Sequence, residues 1–118
     1  MRLINQCKED LIKLSKVKSV KERNKLIKDI KNCVIDAISE ISSNCLLGNI
    51  PLTNCNYKKL QKYKNTLRVL STKNISRIRK RKLIQQKGGF LNILLPPVLT
   101  LLATAIGNII NRRLNKND

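Results

Sequence analysis

The chain has 118 residues, with 25 Lys and Arg against 7 Asp and Glu, no His, no Trp and a formal net charge of +18 at pH 7. That length admits one domain at most, with a small core. With no His and few acids, the chain is not expected to be an enzyme. Its positive excess selects polyanions or anionic lipid as partners.

Along the chain, Leu3, Ile4, Cys7, Leu11 and Leu14 recur at steps of three and four and predict a first amphipathic helix of about fourteen residues. Leu3 and Ile4 are followed at once by polar and charged residues, so no secretory signal is expected. Ser19-x-x-Glu22 reads as a capping box, the Ser hydroxyl accepting from one free helix amide. The second helix begins there, with a stripe of Ile27, Ile30, Val34, Ala37 or Ile38, Ile41 and Cys45. It is expected to run unbroken to Gly48, a left-handed stop.

Asn49-Ile50-Pro51-Leu52-Thr53 predicts a turn, with Thr53 as the N-cap of a third helix that carries Leu60, Tyr63, Leu67 and Leu70 on one side. Lys58, Lys59, Lys62, Lys64 and Arg68 flank that line. A fourth helix is expected after Ser76, through Arg77, Arg79, Lys80, Arg81 and Lys82 towards Gln86. Ile75, Ile78 and Leu83 are its docking residues. Charge surrounds almost the whole of this cylinder, so it is expected to fray without a ligand.

From Gly88 to Asn111 no residue carries charge. As a helix rising about 1.5 Å per residue, such a block is long enough for a hydrocarbon layer of about 30 Å. Gly88-Gly89 predicts a break, and Pro96-Pro97 an interruption. Pro97 then suits the first position of a helix from Val98 to about Leu114. Phe90, Leu94, Leu95, Leu99, Leu102, Ile106 and Ile109 form the candidate membrane or hydrophobic segment. Thr100, Ala103, Thr104, Gly107 and Asn108 make a small, weakly polar side, and packing on the chain's own core accounts for the same pattern. Arg112, Arg113 and Lys116 suit the negative helix end or anionic headgroups.

Charge divides the chain unequally. Residues 1–40 carry ten cations and six acids, whereas residues 41–117 carry fifteen cations and no acid. A lysine-rich helix face is ordinarily solvated surface, and the interspersed acids favour that reading for Lys13 to Lys31. Between Arg77 and Lys82 five of six residues are cationic. There a nucleic-acid backbone is the expected neutraliser, because binding releases its condensed counterions. The candidate phosphate contacts are Lys58, Lys59, Lys62, Arg68, Arg77, Arg79, Lys80, Arg81 and Lys82. With no base-reading element, binding should be independent of sequence. Arg79 to Lys82 also has the composition of a nuclear import signal.

Cys7, Cys33, Cys45 and Cys55 stand at wide, irregular spacings that match no zinc pattern. They read as reduced core thiols in a reducing compartment. No cofactor or metal is expected.

The segment RKRKLIQQKGGFLNILLPPVLTLLATAIG resembles the basic-then-hydrophobic end of adenovirus core protein X, the mu precursor, and more closely its relatives in adintoviruses and Maverick/Polinton elements. Upstream, LLGNIPLTNCNYKKLQKYKNTLRVLSTKNIS is similar to the companion segment, so the resemblance covers about Leu46 to Ile110. It implies a small virion protein that neutralises packaged double-stranded DNA, located in the virion and, during infection, in the host nucleus. Members of that family are cut by a viral cysteine protease at an aliphatic residue, any residue, then Gly-Gly. Here the tetrad is Gln86-Lys87-Gly88-Gly89, with Gln86 where an aliphatic residue is expected.

The expected architecture is all-α. It comprises a helical bundle over residues 1–72, a basic helix or linker over 73–87, and a hydrophobic tail helix with a basic end over 88–118. The expected function is sequence-independent binding and condensation of viral double-stranded DNA by a minor core or capsid protein. The alternative is a membrane-active viral penetration or lysis factor whose cations hold an anionic membrane while Phe90 to Ile110 inserts.

Overall fold

A computed structural model describes residues 2–101 of the chain. They form α1 (Arg2–Gln6), α2 (Lys8–Lys16), α3 (Val20–Asp29), α4 (Asn32–Leu46), α5 (Asn54–Gln61), α6 (Lys64–Ser71) and α7 (Arg77–Lys87). A 3-10 turn over Gly88–Phe90 leads into α8, residues 91–101. Among the described residues the fold is all-α.

Local signals fall where the sequence places them. Ser19 Oγ accepts from the Glu22 amide at 3.4 Å, Thr53 Oγ1 from the Asn56 amide at 3.2 Å and Ser76 Oγ from the Arg79 amide at 3.2 Å. Each satisfies an amide that the first helical turn leaves free. Gly48 has φ +76°, the left-handed stop after α4.

Three expected helices are each divided in two. The first breaks at Cys7, whose amide is shared between the Leu3 and Ile4 carbonyls at 3.2 and 3.3 Å. The second breaks at Ile30 and Lys31, which are extended, with ψ 146° and 151°. The third breaks at Lys62-Tyr63, where the Tyr63 amide turns back to the Leu60 carbonyl at 2.9 Å. None of these sites carries Pro or Gly. The apolar stripe continues across every break, but a straight rod cannot wrap so short a chain around one core. Packing, not local propensity, places the bends.

Helix α4 is the centre of the fold. It buries Val34, Ile35, Ala37, Ile38, Ile41 and Ser42, and packs against α1, α6 and α7. Buried Ser42 returns its hydroxyl to the Ile38 carbonyl at 2.8 Å, which removes the cost of an unpaired donor. Each fully buried Leu or Ile in such a core contributes roughly 1.5–3 kcal/mol.

All three expected segments share this core. Ile84 of the basic segment and Phe90, Leu91, Leu94, Leu95 and Val98 of the tail lie fully buried in one cluster with Ile4, Leu14, Ile38 and Leu70. The divisions at 72/73 and 87/88 therefore do not separate units among the described residues. The physical reason is area: a chain this short gathers the apolar side chains of all three segments into one core.

Pro96-Pro97 does not interrupt α8, which is helical from residue 91 to residue 101. The missing Pro N–H groups deprive the Asn92 and Ile93 carbonyls of their intrahelical donors. Both residues border an open hollow lined by Pro51, Thr53, Asn56 and Lys59, where water can replace those donors. Pro96 is exposed, the opposite face carries Leu91, Leu94, Leu95 and Val98 into the core, and Asn92 Nδ2 donates to the Val17 carbonyl at 2.8 Å. Tertiary contact on one face holds the helix through the prolines.

Candidate nucleic-acid interface

Helix α7 carries the basic run, and Ser76 caps its start. At 3.6 residues per turn, Arg77, Lys80, Arg81, Ile84 and Gly88 share one side, and Ile78, Arg79, Lys82 and Gln86 the other. The first side faces the bundle. The run is thus split by direction, three cations inward and two outward.

Each inward cation has a partner. Arg77 holds Asp36 of α4 with two bonds, Nε to Oδ1 at 2.9 Å and Nη2 to Oδ2 at 2.7 Å. That carboxylate raises the Arg77 pKa above its ordinary value, first through the hydrogen bond and then through charge attraction. Lys80 is buried and donates to Ser39 Oγ at 3.2 Å, in a recess that Glu40 also lines. Arg81 donates to the Ile27 carbonyl in the last turn of α3 and, at 3.1 Å, to Asn32 Oδ1 at the start of α4. Its guanidinium meets the negative end of α3 and spans the α3–α4 break.

These contacts correct two expectations. First, α7 is held by the bundle and need not fray: Arg77, Lys80, Arg81 and Ile84 anchor it, and Gln85 Nε2 adds a bond to the Asn24 carbonyl at 3.4 Å. The docking residues are Ile84, fully buried, and Leu83, partly buried, whereas Ile78 is 71% exposed. Second, the run has a compensating acid, since Asp36 reaches it from the acid-bearing first 40 residues.

Of the candidate phosphate contacts, Lys58 and Lys59 on α5, Lys62 in the α5–α6 break, Arg68 on α6, and Arg79 and Lys82 on α7 are exposed, as are Lys64, Lys73 and Lys87; Arg77 is exposed too but is engaged by Asp36. Helices α6 and α7 pack on each other. Lysines on long stems meet phosphates as mobile point charges and arginines as forks, so these side chains are each of a kind that binds a backbone polyanion. Tyr57, next to Lys58, is 57% exposed and adds a ring face beside the cations.

Gly88 and Gly89, the candidate cleavage site, lie in the 3-10 turn, and Gly88 is buried. They end α7, as the sequence predicts, but do so in a packed turn. A Cβ on Gly88 would stand 2.8 Å from Arg23 Nε, and one on Gly89 would stand 2.7 Å from the Tyr63 hydroxyl. A larger residue at either position would require Arg23 or Tyr63 to shift. A protease needs this bond extended and accessible, so cutting after Gly89 would require α7 and α8 to come apart first.

Of the candidate membrane segment, Phe90, Leu94 and Leu95 are fully buried in the protein core and Leu99 packs against it. Phe90 pairs with Tyr63, ring centroids 5.9 Å apart at 54°. Leu102, Ile106 and Ile109, like the rest of the predicted helix to Leu114 and the basic end, lie outside the described residues. Among the described residues no helix is long and apolar enough to cross a membrane.

Cys7 is buried, Cys33 and Cys45 are partly buried, and Cys55 is exposed; all four are free thiols. The core-thiol expectation therefore misses Cys55, on the solvent side of α5. No family model matches the chain, and neither does any curated protein or solved structure.

Proposed function

We propose that this protein binds the phosphate backbone of double-stranded DNA without sequence preference and serves as a minor core protein of a virion. One observation carries the reading: residues 41–117 hold fifteen cations and no acid. Burial and pairing remove Arg77, Lys80 and Arg81 from the free positive surface and leave Lys58, Lys59, Lys62, Arg68, Arg79 and Lys82 for phosphate. The resemblance of residues 46–110 to core protein X supplies the viral setting and names packaged DNA as the polyanion. Membrane insertion of Phe90 to Ile110 is less favoured, because Phe90, Leu91, Leu94 and Leu95 would have to leave the core.

The test is titration of the full chain into duplexes of unrelated sequence over a range of salt. Log affinity should fall linearly with log salt, by about 0.9 for each phosphate neutralised, and equally for every duplex. An affinity insensitive to salt, or none at low ionic strength, would overturn the reading.

A further inference from the structure

We infer that Cys7 and Cys33 are a latent intrachain disulfide, closed when the folded protein meets a low-molecular-weight disulfide oxidant. This inference is independent of the DNA reading.

The two sulfurs stand 3.2 Å apart, although the residues are 26 positions apart in sequence. A disulfide is about 2.05 Å long, so closure needs a shift of little more than about 1 Å. The joint is favourably placed for such a movement. Cys7 sits where α1 breaks from α2, with its amide shared between two carbonyls, and Cys33 is the second residue of α4, just after the extended Ile30-Lys31 link. Both lie beside bends, whose adjustment does not require a helix to unwind.

Access is also provided. Cys33 is partly exposed, and a hollow lined by Asn5, Gln6, Lys8, Glu9, Asp10 and Lys31 opens onto Cys7. Lys8 and Lys31 at its rim suit an anionic oxidant such as oxidised glutathione, with Glu9 and Asp10 opposing them.

The chemistry balances in two steps. The Cys33 thiolate, its proton lost to water, attacks one sulfur of oxidised glutathione and expels one glutathione thiolate. Cys7, deprotonated in turn, attacks the Cys33 sulfur of the mixed disulfide and expels the second glutathione. Two thiols are oxidised by two electrons to one disulfide, and the oxidant leaves as two reduced molecules. Capping Cys33 removes the neighbour whose hydrogen bond and charge help to keep Cys7 protonated, so the first step promotes the second.

Closure would join the α1–α2 joint to α4, the helix whose Asp36 and Ser39 hold α7. A protein assembled in a reducing compartment would thus gain a cross-link on reaching an oxidising one, without rearranging its fold.

The test treats reduced full-length protein with oxidised glutathione, quenches with acid and maps peptides by mass spectrometry, with and without urea. Cys45→Ala and Cys55→Ala, introduced together, remove the competing thiols. The expected result is a Cys7–Cys33 linked peptide, formed in the folded chain at least on the order of tenfold faster than in urea, as proximity requires. The thermal midpoint should rise on oxidation and return on reduction. Equal rates in both solvents, a persistent glutathione adduct at Cys33, or both remaining thiols still titratable after oxidation would each overturn the inference.

Discussion

Arg77 and Asp36, 41 residues apart in sequence, form a two-bond guanidinium–carboxylate pair that joins α7 to α4. Lys80 meets Ser39 of the same helix across the same separation of 41 residues. This pairing turns half of a repulsive basic run into an attachment. Asp36→Asn keeps the side-chain shape and removes the charge, so Arg77 is released towards solvent. The salt slope of DNA binding should then steepen by up to about 0.9, with a lower thermal midpoint. An unchanged slope would show that Arg77 stays out of reach of phosphate.

Direction on α7 separates binding from stability. Replacing Arg79 and Lys82, both outward, with Gln should reduce the salt slope by about 1.8 and leave the unfolding midpoint almost unchanged. Arg81→Gln should do the reverse: the slope holds, while unfolding free energy falls by about 1–3 kcal/mol as the Ile27 carbonyl and Asn32 lose their donor. Fluorescence anisotropy across salt and urea unfolding measure the two effects. If Arg81→Gln lowers the slope as much as the outward pair, the inward assignment is wrong.

Gly89 and Tyr63 should behave as a coupled pair. A methyl at Gly89 meets the Tyr63 hydroxyl, and that ring is confined by Phe90, so Gly89→Ala should cost about 1–3 kcal/mol through overpacking. Tyr63→Phe removes the clashing oxygen. The double variant should recover most of the loss, with a coupling energy on the order of 1 kcal/mol in a double-mutant cycle. Additive effects would mean that the Tyr63 hydroxyl is not what limits the position.

Alkali should weaken the reduced fold through Cys7. Burial, first, and then the neighbouring Cys33 push its pKa from the ordinary 9.0 to about 11. The folded state therefore retains a proton that the unfolded chain has lost between those values. Its stabilising effect is complete below pH 9 and declines as pH rises towards 11, by on the order of 1–2 kcal/mol. Cys7→Ala should lack this increment when the two proteins are unfolded in urea, under reductant, from pH 8 to 11. Parallel pH profiles would remove Cys7 as the source.

The sequence made the helical class and much of the local punctuation legible. Ser19, Thr53 and Ser76 cap helices because a hydroxyl beside free amides acts within one turn, and Gly48 stops α4 because its φ is a property of one residue. The stripe from Ile27 to Cys45 identified a buried helix face for the same local reason. The breaks at Cys7, Ile30-Lys31 and Lys62-Tyr63 were not legible, since a continuing stripe does not state how far its axis can run before the core curves away.

Composition and order alone determined that this is a helical, strongly cationic chain whose acids are nearly all in its first 40 residues. Only the tertiary structure decided which cations remain free, because that depends on Asp36, Ser39 and the end of α3 arriving at α7 from distant positions. It also placed Gly88-Gly89 in a packed turn and Phe90 to Val98 in the core. Charge and apolarity are properties of residues, whereas whether a charge is paired or an apolar face covered is a property of what lies opposite it.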